Sequence, residues 1–533
     1  MAAPGPGPGK SPRSGGAAFL VALGILLSRM IGLVRQAIFA RYLGLSDAAD
    51  VYTVAFRIPN FLQNLFGEGA LSASFIPVYA GLLAQGRRED ARKVAGAIAT
   101  ILGLVVALIV LAGVLATPQL MSVIAPGYSG AKRELGITLV RIFFPGAGLL
   151  VLSAWCLGVL NSHRSFLLPY AAPVMWNLAI IFALIWEGPR GGAEQIAIWA
   201  AWGSVIGSGL QLIVQLPMVR LLAGVLRPGI GSDNPEVRSV VRNFFPAFIS
   251  RGVTQISAYV DSIIATLLPT GAAAALGNAQ MIYTLPVSLF GMAVSAAELP
   301  AMSGAVGTDD EIAAHLRTRL NSGLRRIAFF VIPSAVAFIA LGGVIAAALF
   351  QRGHFTAEDS QYVWGILAGS AVGLLAGTLG RLYASASYAL RDTRTPLLFA
   401  LIRVALTVAL GLGAALWLPE SLGVSTRWGA AGLTASAGLA GWVEFTLLRR
   451  AINRRVGQTG IPLGFVGRLY LAAGVAAGCA WGVHWLLGEF PPIPQAILML
   501  GIYGVAYLAA ALLFGVSEVA EVTARISAMA GRQ

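Results

Sequence analysis

Long apolar segments separated by short polar connections run through most of the chain. A helix needs about 20 mostly apolar residues to cross the hydrocarbon core of a bilayer. By that measure, we expect an all-α polytopic membrane protein with about 14 transmembrane helices. The candidate spans lie near residues 17–42, 50–84, 94–117, 135–160, 166–186, 194–222, 239–268, 273–303, 322–350, 362–389, 394–418, 428–448, 463–487 and 494–515. Only 11% of the residues are charged, against about 25% in soluble domains, which excludes an ordinary soluble fold.

Basic residues are concentrated in every second connection between these segments. The richer connections hold Arg87, Arg88, Arg92, Lys93, Arg164, Arg220, Arg227, Arg238, Arg242, Arg317, Arg319, Arg391, Arg394, Arg449, Arg450, Arg454 and Arg455. The poorer ones hold Lys132, Arg133, Arg190, Arg352 and Arg427. Because lysine and arginine accumulate in cytoplasmic loops, we predict that both termini are cytoplasmic. That placement requires an even number of spans, which fourteen or twelve would satisfy.

The first segment carries arginines at a depth where charge is costly. A charged side chain near the bilayer centre costs at least ~2.5–3.5 kcal/mol, so such residues face a protein interior or a wet cavity by default. At about 100° per residue, Ser28, Arg29, Gly32, Arg35 and Gln36 fall within an arc of roughly 120°. The alternative is that these charges reach the membrane interface or pair with one another structurally. About twelve apolar or small residues precede Arg29, which favours the cavity interpretation.

A second polar stripe follows in the next segment. If this helix is unbroken, the polar residues of the stripe fall within an arc of roughly 80° around its axis. They are Asp50, Thr53, Arg57, Asn60, Asn64 and Glu68. Pro59 is expected to bend this helix. Two membrane helices that each carry a polar stripe indicate a shared polar cavity.

The same region closely resembles the MurJ (MviN) family, the lipid II flippases of bacterial cell-wall synthesis. The resembling stretches are SRMIGLVRQAIFARYLG at 28–44, DAADVYTVAFRIPNFLQNLFGEGALSASFIPVY at 47–79, APGY at 125–128, LFQRGHFT at 349–356 and YALRDTRTP at 388–396. They occur in the family's order. The resemblance implies a fold of the multidrug/oligosaccharidyl-lipid/polysaccharide exporter superfamily, with two pseudo-symmetric six-helix lobes and two extra C-terminal helices.

That fold divides the chain into five parts. We expect a disordered cytoplasmic N-terminus at 1–16, an N-lobe at 17–222, a cytoplasmic linker at 223–238 and a C-lobe at 239–455; residues 456–533 would supply the last two helices and a cytoplasmic tail. The expected location is the bacterial cytoplasmic (inner) membrane. The expected activity is translocation of lipid II, a peptidoglycan precursor, to the outer leaflet by alternating access, with possible partners among cell-wall synthesis enzymes.

The resemblance also assigns roles to residues of the two stripes. Lipid II contains a diphosphate, two sugars and a peptide, and the planar guanidinium of arginine suits a diphosphate. Arg29 and Arg35 match cavity positions of the family, and Asp50 and Glu68 match its essential polar positions. The predicted substrate-binding set is Ser28, Arg29, Arg35, Asp50, Arg57, Gln63 and Glu68.

The chain departs from the family's pattern in both halves. Gln63 stands where many members have an arginine, and Met281 and Thr284 stand where they have an arginine and a glutamate. Three hypotheses stay open: lipid II is bound with fewer charges, Arg57 or Arg251 compensates, or the cargo differs.

A second group of charges lies in segments of the other half. We predict an internal charge network of Arg251, Asp261, Arg403 and Glu444. Some relatives place a sodium ion with an Asn-x-x-x-Asp pair, and the matching positions here are Thr407 and Gly411. We therefore expect no sodium site of that type, and hypothesise that Arg403 supplies a fixed positive charge paired with Asp261 or Glu444.

Several function classes are not supported by the sequence. The net charge of +14 is spread over short loops, which argues against nucleic-acid binding. No catalytic, nucleotide-binding or metal-spaced motif is present, so we expect no enzyme, no cofactor and no metal. Two alternatives to lipid II transport remain: a transporter of the same fold for another polyprenyl-diphosphate glycan or for drugs and cations, and a non-transporting scaffold for cell-wall enzymes.

Overall fold

A computed structural model describes residues 14–304, 307–488 and 490–519. Within these ranges, the side chains of 14–22, 67–69, 247, 249–258, 296 and 487 are not described. Every regular element in this part of the chain is a helix, as expected. The disordered N-terminus predicted from the sequence lies, up to residue 13, outside the described residues.

The first part of the chain contains twelve α-helices. They are α1 (Ser14–Leu43), α2 (Asp47–Ala55), α3 (Arg57–Leu62), α4 (Ser72–Ala84), α5 (Arg88–Leu115), α6 (Thr117–Ile124), α7 (Gly130–Ser162), α8 (Leu167–Ala171), α9 (Pro173–Glu187), α10 (Ala193–Ile213), α11 (Leu216–Ala223) and α12 (Pro235–Ala265). A π-helical stretch, Gln63–Leu71, joins α3 to α4.

The second part continues the same pattern. Its α-helices are α13 (Ala272–Pro286), α14 (Ala293–Ser303), α15 (Asp309–Phe350), α16 (Ala357–Ala389), α17 (Arg394–Leu412), α18 (Leu418–Ser421), α19 (Gly429–Val456), α20 (Leu463–Leu487) and α21 (Pro492–Leu513). Val287–Met292 and Gly413–Trp417 are π-helical, and Thr426–Trp428 is a 3₁₀ turn.

Twelve helical segments among the described residues are long and apolar enough to cross a membrane. They are Leu23–Leu43, Arg88–Leu115, Gly130–Ser162, Leu167–Glu187, Ala193–Ala223, Ala272–Ser303, Asp309–Phe350, Ala357–Ala389, Arg394–Ser421, Thr426–Val456, Leu463–Leu486 and Pro492–Leu513. The chain is therefore a polytopic helical membrane protein. The expected count of fourteen is not confirmed, because the expected spans at 50–84 and 239–268 are helical but are not among these twelve.

The expected span at 50–84 is interrupted rather than continuous. A turn at Phe56 separates α2 from α3, three residues before Pro59. The ring of a proline within a helix clashes with the carbonyl four residues earlier, here that of Ala55, which is the last residue of α2. The predicted bend therefore has a physical cause at Pro59. The π-helical stretch adds a second irregularity within the same segment.

The chain forms two compact units, Met1–Leu43 with Asp47–Tyr259, and Gly44–Ser46 with Val260–Gln533. In the first unit, the long helix α7 is the most buried span, and α10 packs on α9 through small residues. A Cβ added to Gly207 would lie 2.7 Å from the carbonyl oxygen of Trp176, so only glycine permits this approach. Small residues at such crossings let membrane helices pack closely.

The second unit is organised around α15, α16 and α19. A Cβ added to Gly373 on α16 would lie 2.4 Å from the Cα of Gly438 on α19, so the two backbones are in direct contact. The last two helices pack on α15, where the hydroxyls of Tyr503 and Tyr507 donate to the carbonyls of Pro333 and Phe329 at 2.7 and 2.6 Å. Buried tyrosine hydroxyls usually find such partners.

Candidate functional site

A polar cavity of about 200 Å³ lies within the first unit. Its polar lining comes from α1, the start of the π-helical stretch, α7, α8 and α10, and consists of Ser28, Arg29, Gln63, Ser153, Tyr170 and Gln211. Ile25, Ala154, Leu157, Pro169 and Pro173 complete the wall. The structure thus brings together three residues of the predicted substrate-binding set: Ser28, Arg29 and Gln63.

Arg29 projects from the middle of an apolar helix. Its neighbours Ile25, Leu26, Leu27 and Met30 are exposed large hydrophobic side chains, as expected of a helix that meets lipid. The Arg29 side chain is itself exposed, while Ser28 beside it is half-buried. A cation at the wall of a polar cavity, on a helix that is otherwise apolar, can attract an anionic group into that cavity.

Arg35 lies six residues after Arg29 on α1, in an aromatic environment. Its guanidinium carbon is 4.7 Å from the ring centroid of Phe56 and 5.9 Å from that of Trp176. Those two rings stack on each other at 5.2 Å. Among the described residues, no acidic side chain forms an ion pair with Arg35 within 4 Å. Within the described part of the chain, the positive charge of Arg35 is therefore held by cation–π contacts.

Sequence patterns could not identify this aromatic pair. Phe56 lies on the predicted polar helix but is apolar, and Trp176 is more than a hundred residues away on α9. The helix periodicity that located Arg35 carries no information about contacts across helices.

Asp50 is placed away from the polar cavity, in a buried ion pair. Its Oδ2 accepts from the ammonium of Lys132 at 2.9 Å, and the Oδ1 of Asp47 lies 2.6 Å from the same nitrogen. Only 3% of the Asp50 side chain and 18% of that of Lys132 are exposed. Lys132 also lies over the ring of Tyr128, 4.6 Å from its centroid. From the sequence alone, Lys132 was predicted only to be a basic residue in a connection between membrane helices.

Arg57 has a neighbourhood of its own at the start of α3. Its guanidinium lies 5.5 Å from the ring centroid of Tyr259, whose hydroxyl donates to the Arg57 carbonyl at 3.3 Å. The structure does not place Arg57 in the lining of the polar cavity. The side chains of Glu68 and Arg251 lie outside the described residues, so their predicted roles stay predictions.

The second unit contains a group of charges around Tyr283. Arg403 on α17 and Glu444 on α19 form an ion pair, with Nε and Oε2 separated by 3.2 Å. Tyr283 lies close enough to Asp261, Arg381 and Arg403 to interact electrostatically with all three. Forty per cent of the Arg403 side chain is exposed. Arg381 was not in the predicted network, and its proximity comes only from the packing of α16 against α13.

Thr407 and Gly411, the positions that the resemblance predicted to match a sodium pair, are closely packed here. Thr407 is buried, and a Cβ added to Gly411 would lie 2.9 Å from Cδ1 of Leu433. A carboxylate side chain at residue 411 would therefore need its neighbours to move. Met281 is half-buried, and Thr284 is exposed, with its hydroxyl donating to the Gln280 carbonyl at 2.7 Å.

A buried amide network borders the polar cavity and was missed from the sequence. The side-chain nitrogens of Gln211 and Gln215 both donate to the Ser153 hydroxyl oxygen, at 3.0 and 2.6 Å. The Oε1 atoms of both glutamines are buried without a hydrogen-bond partner in the described part of the chain. An unsatisfied buried acceptor costs about 1–3 kcal/mol. Ser153, Gln211 and Gln215 are uncharged, so their presence in apolar helices does not mark a site in the sequence as clearly as an intramembrane arginine does.

A second cavity in the first unit is apolar. It has a volume of about 240 Å³ and lies between α5 and the beginning of α12, beside Phe66, Phe244 and Phe248. All of its lining residues that the structure describes are apolar, which suits an apolar group.

The chain is similar to known proteins over most of its length. The family model described as Lipid II flippase MurJ matches residues 39–494. A protein of Burkholderia cenocepacia named Lipid II flippase MurJ is 31% identical over 506 residues, which cover 92% of this chain and 94% of that protein. A protein of Rhizobium meliloti named Probable lipid II flippase MurJ is 32% identical over 505 residues, which cover 92% of this chain and 91% of that protein.

The fold agrees with this relationship. A solved structure titled as lipid II flippase MurJ in an inward closed conformation has a TM-score of 0.76 and 23% identity, covering 93% of this chain and 98% of its own. These values show a shared fold, and the resemblance predicted from the sequence is confirmed. On the strength of the family model and of the identity over nearly its whole length, the chain belongs to the lipid II flippase MurJ family.

Proposed function

We propose that this protein moves lipid II from the cytoplasmic to the outer leaflet of a bacterial cytoplasmic membrane, with both termini in the cytoplasm. The observation that carries the proposal is Arg29, a cation at the wall of a polar cavity on an apolar membrane helix. Lipid II is proposed as the cargo from the description of the family. The cationic wall of the cavity gives a chemical reason, because lipid II carries an anionic diphosphate. Membership of this family makes the protein a transporter, and we propose that it performs no covalent chemistry and needs no cofactor.

The transport problem is electrostatic. A lipid-linked diphosphate must leave water for a region where charge is costly, and it needs cations there to replace its hydration. Arginine suits this role because its planar fork makes two charge-assisted hydrogen bonds to phosphate oxygens. In our proposal Arg29 makes the first such contact. Arg35, which the aromatic face of Phe56 holds, would make the second.

Conformational change completes the cycle by alternating access, in which the site opens first to one leaflet and then to the other. The lobes would be 17–222 and 239–455, joined by the linker 223–238 and followed by 456–533. Asp50 enters this scheme through Lys132, because their ion pair ties the start of α2 to the start of α7. We propose that this tie preserves the helix arrangement of the first unit. Recruitment of cell-wall synthesis enzymes would be an additional role.

The test is complementation of a bacterium depleted of its own lipid II flippase. Wild type, Arg29→Ala and Arg35→Ala are compared at equal amounts in the membrane, with Arg29→Lys and Arg35→Lys as charge-preserving partners. We expect rescue by wild type, loss with each alanine variant and partial rescue with each lysine variant. Rescue by all five proteins would remove the arginines from the mechanism.

A second candidate function follows from the departures expected in the sequence analysis. The resemblance leads us to expect charged residues at the positions of Gln63, Met281 and Thr284, so the alternative cargo is a different polyprenyl-diphosphate glycan. Failure of correctly inserted wild type to rescue would favour that candidate. A drug or cation antiporter is less compatible with a cationic cavity wall, and a scaffold would tolerate loss of both arginines.

A further inference from the structure

The polar cavity contains a position where a hydrogen bond is missing. Gln211 is 3% exposed as a whole residue, and its Oε1 has no hydrogen-bond partner among the described residues. Its nitrogen is already engaged by Ser153. Turning the amide over would exchange an acceptor for a donor and would still leave one polar atom without a partner. Among the described residues no group completes these hydrogen bonds, so the site can accept a hydrogen-bonding ligand.

The cavity is large enough to admit more than a single water molecule. Its volume is about 200 Å³, whereas one water occupies about 30 Å³ of the liquid. Gln211 and Ser153 form one side of this space, and Arg29, Ser28 and Tyr170 line the remainder with further polar groups. A ligand that matches this lining presents several hydroxyl or amide groups, and it carries an anionic group beside them for Arg29 to contact.

We propose that Gln211 and Ser153 form a subsite for the sugar that is bonded directly to the diphosphate of the cargo. This inference rests on the proposed function, in which Arg29 contacts the diphosphate. The first sugar is the part of the cargo adjacent to that diphosphate. Sugar hydroxyls both donate and accept, so they satisfy Gln211 in either orientation of its amide.

The experiment measures equilibrium binding to the purified full-length protein in lipid nanodiscs. The probes are lipid II, the same lipid without its peptide, and undecaprenyl diphosphate without sugars. Wild type is compared with Gln211→Met, which keeps the side-chain length and removes its hydrogen bonds. We expect Gln211→Met to weaken binding of both sugar-bearing probes by about 2- to 10-fold, the usual range for a lost hydrogen bond, and to leave undecaprenyl diphosphate unchanged.

Gln215→Met is the matched control. Gln215 belongs to the same buried network but does not line the cavity, so its substitution should alter thermal stability and leave the binding ratio between probes unchanged. An equal loss of affinity of Gln211→Met for all three probes would reveal a general structural effect and overturn the proposal. A loss restricted to the probe that carries the peptide would assign the subsite to peptide and would overturn it as well.

The outcome separates this inference from the proposed function. If wild type fails to translocate lipid II but Gln211→Met still discriminates sugar-bearing probes, transport of lipid II fails and the sugar subsite stands. If translocation is normal and the discrimination is absent, the sugar subsite fails and the proposed function stands.

Discussion

The ammonium of Lys132 lies 2.9 Å from Oδ2 of Asp50, and this pair joins helices whose sequences are 82 residues apart. Removing one partner of a buried ion pair leaves the other charge uncompensated, which costs about 3–5 kcal/mol. We expect Lys132→Met to lower the free energy of unfolding by ~3 kcal/mol, near the low end because Lys132 is partly exposed. Thermal unfolding of the purified protein measures this change.

A double-mutant cycle tests whether the ion pair is the cause. Asp50→Asn with Lys132→Met should cost less than the sum of the single substitutions, because each single change already removes the contact between the two side chains, although Lys132 keeps Asp47 in the first. Lys93→Met, at an exposed lysine of α5, is the control and should have little effect. Strictly additive single effects would contradict the interpretation.

The cation–π contacts of Arg35 should matter for transport. Phe56→Leu keeps an apolar side chain but removes the aromatic face that lies 4.7 Å from the guanidinium carbon. A desolvated cation–π contact contributes up to about 2 kcal/mol, so we expect flux to fall by about 3- to 10-fold at equal expression. Reconstituted vesicles with a labelled lipid II report the flux.

Phe182→Leu provides the comparison for this variant. Phe182 is an exposed aromatic residue of α9 that stacks on Trp186 and does not contact Arg35 in the described structure. Its substitution should leave the flux unchanged. If the two leucine variants behaved alike, the aromatic environment of Arg35 would have no specific role.

Transport should not require sodium. The position that would carry the acidic ligand is Gly411, where a Cβ would already lie 2.9 Å from Leu433, and Arg403 places a positive charge on the same helix. We expect equal flux when sodium is replaced by potassium or choline at constant ionic strength and membrane potential. A strict sodium requirement would refute the hypothesis that Arg403 supplies the fixed charge.

Acidification should destabilise the connection that follows α7. Burial lowers the pKa of His163, and the positive charge of Arg88 lowers it further. The folded protein therefore binds this proton more weakly than the unfolded chain, so the contribution of neutral His163 is complete above about pH 6.5 and is lost as the pH falls through the lower folded pKa. We expect the unfolding temperature of wild type to fall between pH 7.5 and pH 5.5.

His163→Gln should reduce that fall while retaining a hydrogen-bonding group for the Tyr79 hydroxyl, which lies 2.9 Å from the histidine Nε2. His315→Gln, an exposed position in the second unit, is the matched substitution. A pH dependence that survived His163→Gln unchanged would assign it to other groups.

The sequence by itself determined the class of fold and the charged residues of interest. Apolar length identified the membrane helices, because a span must bury its backbone hydrogen bonds within one continuous segment. The cost of charge in hydrocarbon identified Arg29 and Arg35. The expected count of fourteen spans is not confirmed, and local reasoning could not establish whether 50–84 remained one helix past Pro59.

Only the tertiary structure decided what each of these side chains contacts. Lys132 binds Asp50, Phe56 and Trp176 surround Arg35, and Gln211 reaches the cavity beside Arg29. Hydrophobic periodicity records which face of a helix avoids lipid, but it does not record which helix packs there. Partners separated by 80 residues or more are set by helix crossings, and these depend on small residues such as Gly207 meeting a neighbouring backbone.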